Sequence, residues 1–215
     1  MDLLIEDTGL SRKDFLLNHI LPGSSKPGPS IRSGDFSEIL LSDYLEYILG
    51  YWVPRTRFDS KTVKNESTKG SDVIGYHLVD PASASLDDTL IIIESKSQFS
   101  GTKPTTRLQD AVDDSIKDSS RIGESLNATK RRLIQKQRFD DAKRVGRFQN
   151  ITDNPYNQIF GAAALFTSAT FGDTVVAATN ISTHPSKDSL HLIVIHGSEM
   201  MNLVHKLYQL AADEA

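Results

Sequence analysis

The residues best placed to do chemistry are Glu94-Ser95-Lys96, which close the most hydrophobic run of the chain, Thr89-Leu90-Ile91-Ile92-Ile93-Glu94. Side chains alternate along a strand, so Glu94 and Lys96 point to one face. Asp72 lies on the preceding expected strand, directly after Lys69-Gly70-Ser71. Carboxylates beside an apolar strand are costly to bury unless something pairs with them. A divalent metal is the usual partner of two converging carboxylates, and hard oxygen ligands select magnesium or manganese. A lysine on the same face can hold or deprotonate a metal-bound water. Metal, carboxylates and ammonium together fit hydrolysis of a phosphodiester. The plain alternative is a structural salt-bridge cluster. With eight Glu and thirteen Lys in 215 residues, a Glu-x-Lys triplet arises by chance in about half of such chains. Context singles this one out. Asp59-Ser60-Lys61 and Asp141-Ala142-Lys143 also fit an acid-x-Lys pattern, but neither ends an apolar strand.

Such a site needs elements to hold it. A helix is expected from about Gly34 to Leu49, ended by Gly50. Phe36, Leu40, Leu41, Tyr44, Leu45, Tyr47, Ile48 and Leu49 form its apolar arc, with Glu38 inside the arc. Tyr51 to Phe58 reads as a strand weakened by Pro54, and Asp72 to Val79 as a second. The unbroken run from Thr89 to Glu94 has the pattern of a central strand buried on both faces. A helix follows from about Thr105, then a very basic one from about Ser125 to Arg147. Gln158–Thr170, Thr174–Ile181 and Leu190–His196 read as three more strands, the first two joined by a hairpin turn at Phe171-Gly172-Asp173. Ser198 is the expected cap of a last helix carrying Met201, Val204, Leu207 and Leu210. This order gives an α/β (α+β) fold around one mixed central sheet flanked by helices. Residues 1–30 form an N-terminal helical arm, capped by Ser11 and carrying Phe15, Leu16, Leu17 and Ile20, with a Pro/Gly/Ser-rich linker from Pro22 to Ser30. Residues 31–215 form one domain.

Helix, strand with Asp, strand with Glu-x-Lys, helix: this sequence of elements resembles the restriction-endonuclease-like PD-(D/E)xK nuclease superfamily. Ser71 stands where the name has Pro. The resemblance implies that Asp72 and Glu94 hold Mg2+ (or Mn2+), that Lys96 serves the water, and that Glu38, as the acid of the first helix, completes the catalytic set. Three segments are more particular. Arg32-Ser33-Gly34-Asp35-Phe36-Ser37-Glu38-Ile39-Leu40, Asn65-Glu66-Ser67-Thr68-Lys69-Gly70-Ser71-Asp72 and Arg107-Leu108-Gln109-Asp110-Ala111-Val112-Asp113-Asp114-Ser115 look like the nuclease subunit of the Hachiman anti-phage defence system. That resemblance implies a DNA endonuclease or nickase acting as an effector beside a superfamily-2 helicase subunit. A stand-alone restriction-type nuclease and a non-catalytic nucleic-acid-binding module on a degenerate nuclease fold are the rival readings.

Charge agrees with a polyanionic substrate in its distribution, not its total. The formal net charge is −4, yet Ala128 to Arg147 holds eight basic residues and only two acids, so the remainder is strongly acidic. Lys69, Lys130, Arg131 and Arg132 are the candidate DNA contacts. A solvated helix face, or docking onto the acidic body, would explain the same run. Asp110, Asp114 and Asp118 read as a solvated stripe pairing with Lys117 and Arg121. Trp52 and Tyr51 read as core. Cys is absent, which excludes disulfides, thiol nucleophiles and cysteine metal sites. No apolar run is long enough to span a bilayer, and the acidic N-terminus lacks the basic region of a secretion signal. A cytoplasmic protein is expected.

Overall fold

The apolar run around Ile92 becomes one of the two interior strands of the sheet. The computed structural model describes residues 2–57, 64–65 and 71–215. Among them are four strands: β1 (Val73–His77), β2 (Thr89–Gln98), β3 (Asn157–Thr167) and β4 (His191–Gly197), in the spatial order β1-β2-β3-β4. β1 runs antiparallel to β2, while β2, β3 and β4 are mutually parallel. The sheet is mixed and flanked by helices, so the α+β class holds. β2 runs four residues past Glu94, because Ser95 to Gln98 pair with Ala163 to Phe166. Glu94 and Lys96 therefore sit inside the ladder, not at its end.

Odd and even residues of the central strands serve different layers, as period-2 alternation requires. Ile91, Ile93, Ala163 and Leu165 pack with Leu41 and Leu45 of α3 (Gly28–Asp43) and its continuation, and with Val204 of α8 (Met200–Asp213). Leu90, Ile92 and Phe160 pack instead with Leu126 and Leu133 of α5 (Asp118–Gln135) and Val145 of α6 (Phe139–Arg147). Further along the same face, α4 (Arg107–Ser115) lays Leu108, Ala111 and Val112 against Ala162, Ala164 and Phe166.

Several expectations need correcting. Helix α3 begins at Gly28, six residues before Gly34, because Pro29 in its first turn has a preset φ and no N–H to leave unpaired. Its buried serines are satisfied locally. Ser37 and Ser42 donate to the carbonyls of Ser33 and Glu38 at 2.7 Å. From Tyr44 to Ile48 the helix widens into a π turn, which rotates Tyr47 and Ile48 out of the apolar arc to 76% and 70% exposure. The described part of Tyr51–Phe58 is no strand: Trp52 makes one isolated bridge to Tyr76 before Pro54, and Arg55 turns left-handed at φ 51°. The basic stretch is two helices, broken where Gln137 adopts φ 60°. Thr174–Ile181 contains a short helix, α7 (Asp173–Ala177), instead of a strand. Parallel neighbours such as β3 and β4 cannot be joined by a hairpin. Ser198 does not cap α8; Glu199 fills that position in a left-handed conformation with no side-chain cap.

The N-terminal arm holds α1 (Asp2–Ile5) and α2 (Arg12–Phe15), the latter capped by Ser11, whose hydroxyl accepts from Asp14 N. It lies on the body: Phe15 is buried, Lys13 pairs with Asp213 of α8 at 2.7 Å, and Arg32 Nε donates to Pro22 O at 2.7 Å.

Candidate active site

Asp72 stands one residue before β1, and antiparallel pairing of Val73 with Ile93 brings it alongside the middle of β2. Its Oδ2 accepts from the backbone N of Ser95 at 2.9 Å, a bond that fixes the carboxylate between Glu94 and Lys96 in the chain. Glu94 is buried, and burial, joined by the charge of Asp72, pushes its carboxyl up to about 7. Lys96 Nζ lies 2.6 Å from Glu94 Oε1 and 2.9 Å from Asp114 Oδ2. Burial draws the ammonium down, but hydrogen bonds to Asp114 and Glu94 outweigh it, so Lys96 holds its proton more tightly than usual. Hydrogen bonds from Lys117 and Lys96 hold Asp114 down at about 2.

Glu38 reaches the cluster from α3 through an arginine that sequence reasoning missed. Arg57 Nε is 3.4 Å from Glu38 Oε2, and its Nη1 is 3.0 Å from Asp72 Oδ1 and donates to Ser71 O at 2.6 Å. One guanidinium thus ties α3 to the start of β1 across a buried carboxylate, Glu38, and a half-buried one, Asp72. No motif marks Arg57; it lies in a segment read as a strand, where its direction had no meaning.

Asp118 also departs from expectation. The stripe of Asp110, Asp114 and Asp118 does not lie on one solvated face, because the chain turns between α4 and α5 at Ile116-Lys117. Asp110 pairs with Arg107 and Asp114 with Lys96 and Lys117, whereas Asp118 is wholly buried. Ser71 Oγ donates to Asp118 Oδ1 at 2.9 Å, and Asp118 Oδ2 has no hydrogen-bond partner. Burial lifts Asp118 to about 6; the Ser71 bond lowers it and the charge of Asp72 raises it.

The structure brings together Glu38, Asp72, Glu94 and Lys96. Of the expected DNA contacts, Lys69 lies outside the described residues. Lys130 Nζ donates to Gln149 Oε1 at 2.8 Å, and Arg131 is exposed. Arg132 lines a cavity of about 660 Å3 between α5, residues 53–57 and the start of β1, and Asp72 and Arg57 line it too. Among the described residues no helix is long and apolar enough to cross a membrane.

The model of the HamA family matches residues 2–211. This chain belongs to the HamA family. It is the family of the Hachiman subunit that Arg32–Leu40, Asn65–Asp72 and Arg107–Ser115 resemble, and the match extends that likeness over nearly the whole chain. HamA membership makes the chain an effector of anti-phage defence that works with a partner. No curated protein and no solved structure matches it.

Proposed function

We propose that the chain is a metal-dependent DNA endonuclease or nickase of the PD-(D/E)xK type, acting as a Hachiman effector beside a superfamily-2 helicase subunit. The observation that carries this reading is the convergence of Asp72, just before β1, and Glu94 of β2, with Lys96 on the same strand face as Glu94. Among the described residues no three acids or histidines are grouped as a ready metal site. Two carboxylates with a mutual repulsion fit a hard divalent ion that takes its other ligands from water and substrate phosphate. Asp72 and Glu94 would hold magnesium (or manganese), which when bound lowers the pKa of a water and neutralises charge on the phosphoryl group. Lys96, held charged by Glu94 and Asp114, would orient such a water and offset negative charge on the phosphoryl group without serving as the base. Ser95 N keeps Asp72 aimed. Glu38 acts through Arg57, whose guanidinium lies 3.4 Å from Glu38 and 3.0 Å from Asp72 Oδ1 and so positions that carboxylate.

Asp72→Ala, Glu94→Ala and Lys96→Ala should each remove magnesium-dependent plasmid nicking while leaving the circular dichroism spectrum unchanged. Because the three act as a unit, pairing two of them should be no worse than one alone. Near wild-type nicking by Lys96→Ala would defeat the assignment. Co-expression and size-exclusion test the partner: co-elution with a helicase subunit supports it, and separate elution refutes it.

A further inference from the structure

Helix α5 presents Arg121, Ser125, Ala128, Thr129 and Arg132 along one wall of the cavity, facing residues 53–57 and Ser71 to Ile74. Their spacing places them on one helical stripe, with a guanidinium at each end and small residues between. At the α-helical rise the two arginine Cα atoms are about 16 Å apart. The other cations of this cavity are engaged: Arg55 by Asp43 and Glu46, Arg57 by Glu38 and Asp72. Arg121 and Arg132 make no hydrogen bond or ion pair with any described residue. Arg132 is half-buried and lies within the field of Arg57, and that burial and charge depress its proton affinity. A desolvated guanidinium facing a second one is stabilised by any anion that enters between them. Arg121 is exposed, shares the rim with Glu124 one turn on, and is drawn upon by Asp118. Arg132 is therefore the stronger anion site.

We propose that this stripe seats the phosphate backbone of one DNA strand, with one phosphate on Arg132, another farther along on Arg121, and Asp72 on the facing wall. Phosphates on one strand of a duplex recur about every 3.4 Å of axis, so a 16 Å stripe spans several of them. Ser125, Ala128 and Thr129 keep the floor low where the backbone passes. The track rests on the nuclease reading for its purpose, since it delivers a strand to Asp72 and Glu94, but binding can be measured apart from cleavage.

The test is fluorescence anisotropy of the full chain with a fluorescein-labelled oligodeoxynucleotide in EDTA, across a series of potassium chloride concentrations. Arg132→Ala should weaken binding on the order of tenfold and lower the slope of log affinity against log salt by about one contact. Arg121→Ala should act in the same direction and less. Arg132→Lys should keep the slope and lose part of the affinity, which separates lost charge from lost fold. Unchanged affinity and slope in a folded Arg132→Ala overturns the track. Wild-type binding with this pattern but no nicking in magnesium sinks the nuclease reading and leaves the track standing. Normal nicking with unaltered KM by the double variant does the reverse.

Discussion

Two stretches of the chain look alike in sequence and behave oppositely. Lys130, Arg131 and Arg132 close α5; Arg138, Lys143, Arg144 and Arg147 belong to α6 and its approach. The α6 cations meet their own chain. Arg138 Nε donates to Asp141 at 2.7 Å and its Nη1 to Pro54 O at 3.2 Å. Arg144 pairs with the same Asp141 and lies 5.7 Å over the Trp52 ring. Arg147 is stitched into the β1–β2 loop through Asp88 and the carbonyls of Asp80, Pro81 and Ser83. In α5, Lys130 donates to Gln149, its one hydrogen-bond partner among the described residues, and Arg132 opens onto a cavity. Each half also lies near a buried carboxylate. Asp88 is answered by Arg147, whereas Asp118, at the other end of α5 from Arg132, has among the described residues only the Ser71 hydroxyl on one oxygen. Counting positive charges cannot separate the two halves; asking which acids and carbonyls the fold brings to them does.

The largest effect expected from this comparison is on stability. Arg147→Ala removes the cation beside Asp88, whose side chain is 4% exposed, and should cost about 3–5 kcal/mol in urea unfolding. DNA affinity of the folded fraction should be unaffected. A loss below about 1 kcal/mol, of the kind typical for exposed pairs, would make the α6 half as loosely held as the α5 half.

The unanswered carboxylate gives a pH signature. With Asp118 raised to about 6 from its usual 3.8, the folded chain binds more protons than the unfolded one between those values. Stability should therefore fall as pH rises from about 4 to about 6, by on the order of 1–3 kcal/mol. In EDTA, Glu94, raised to about 7, extends the fall upward. Asp118→Asn should flatten the lower part and change the upper part less, since the Asp118 charge is the smallest of the causes that raise Glu94. Urea unfolding at a series of pH values decides; an unchanged profile in Asp118→Asn would mean that Asp118 is as well compensated as Asp88.

Smallest is Lys143→Ala. Among the described residues its partner is Asp140, and the side chains are 80% and 90% exposed, so stability should stay within about 0.5 kcal/mol. DNA affinity should not move. A salt slope lowered as far as in Arg132→Ala would extend the DNA surface onto α6 and blur the distinction.

What sequence could show followed hydrophobic periodicity. The run Leu90–Ile93 is a central strand because both of its faces are buried, and period-2 alternation alone put Glu94 and Lys96 together. Glu38 lay inside an apolar arc and is buried. Asp72 was placed by strand order. The rest depended on events that periodicity does not encode. A π turn at Tyr44–Ile48 shifts the helix face by one residue. Gln137 breaks a helix in the left-handed region without being Gly. Thr174–Ala177 is rich in β-branched residues, yet the parallel sheet leaves that segment no strand position beside β3. Arg57, which joins Glu38 to Asp72, comes from irregular chain, where only tertiary packing decides a side chain's direction. Asp118 reads as solvated from its i, i+4, i+8 spacing with Asp110 and Asp114, which holds only on one unbroken helix, and the chain turns at Ile116-Lys117.

The pairing of β1 with β2 has a consequence for the order of assembly. Val73 and Ile93 are near in sequence, so closing that antiparallel pair loses little chain entropy, whereas Thr89 must wait for Asn157 across three helices. Asp72 and Glu94 are thus brought together by the most local ladder of the sheet; α3 and Arg57 precede that ladder in the chain, while α4 and α5 follow it. During synthesis the acidic pair forms before α4 and α5 exist, and the repulsion between its carboxylates grows as those helices dock and Glu94 loses water. Docking of α4 and α5 is then the folding step most sensitive to divalent cations and to pH.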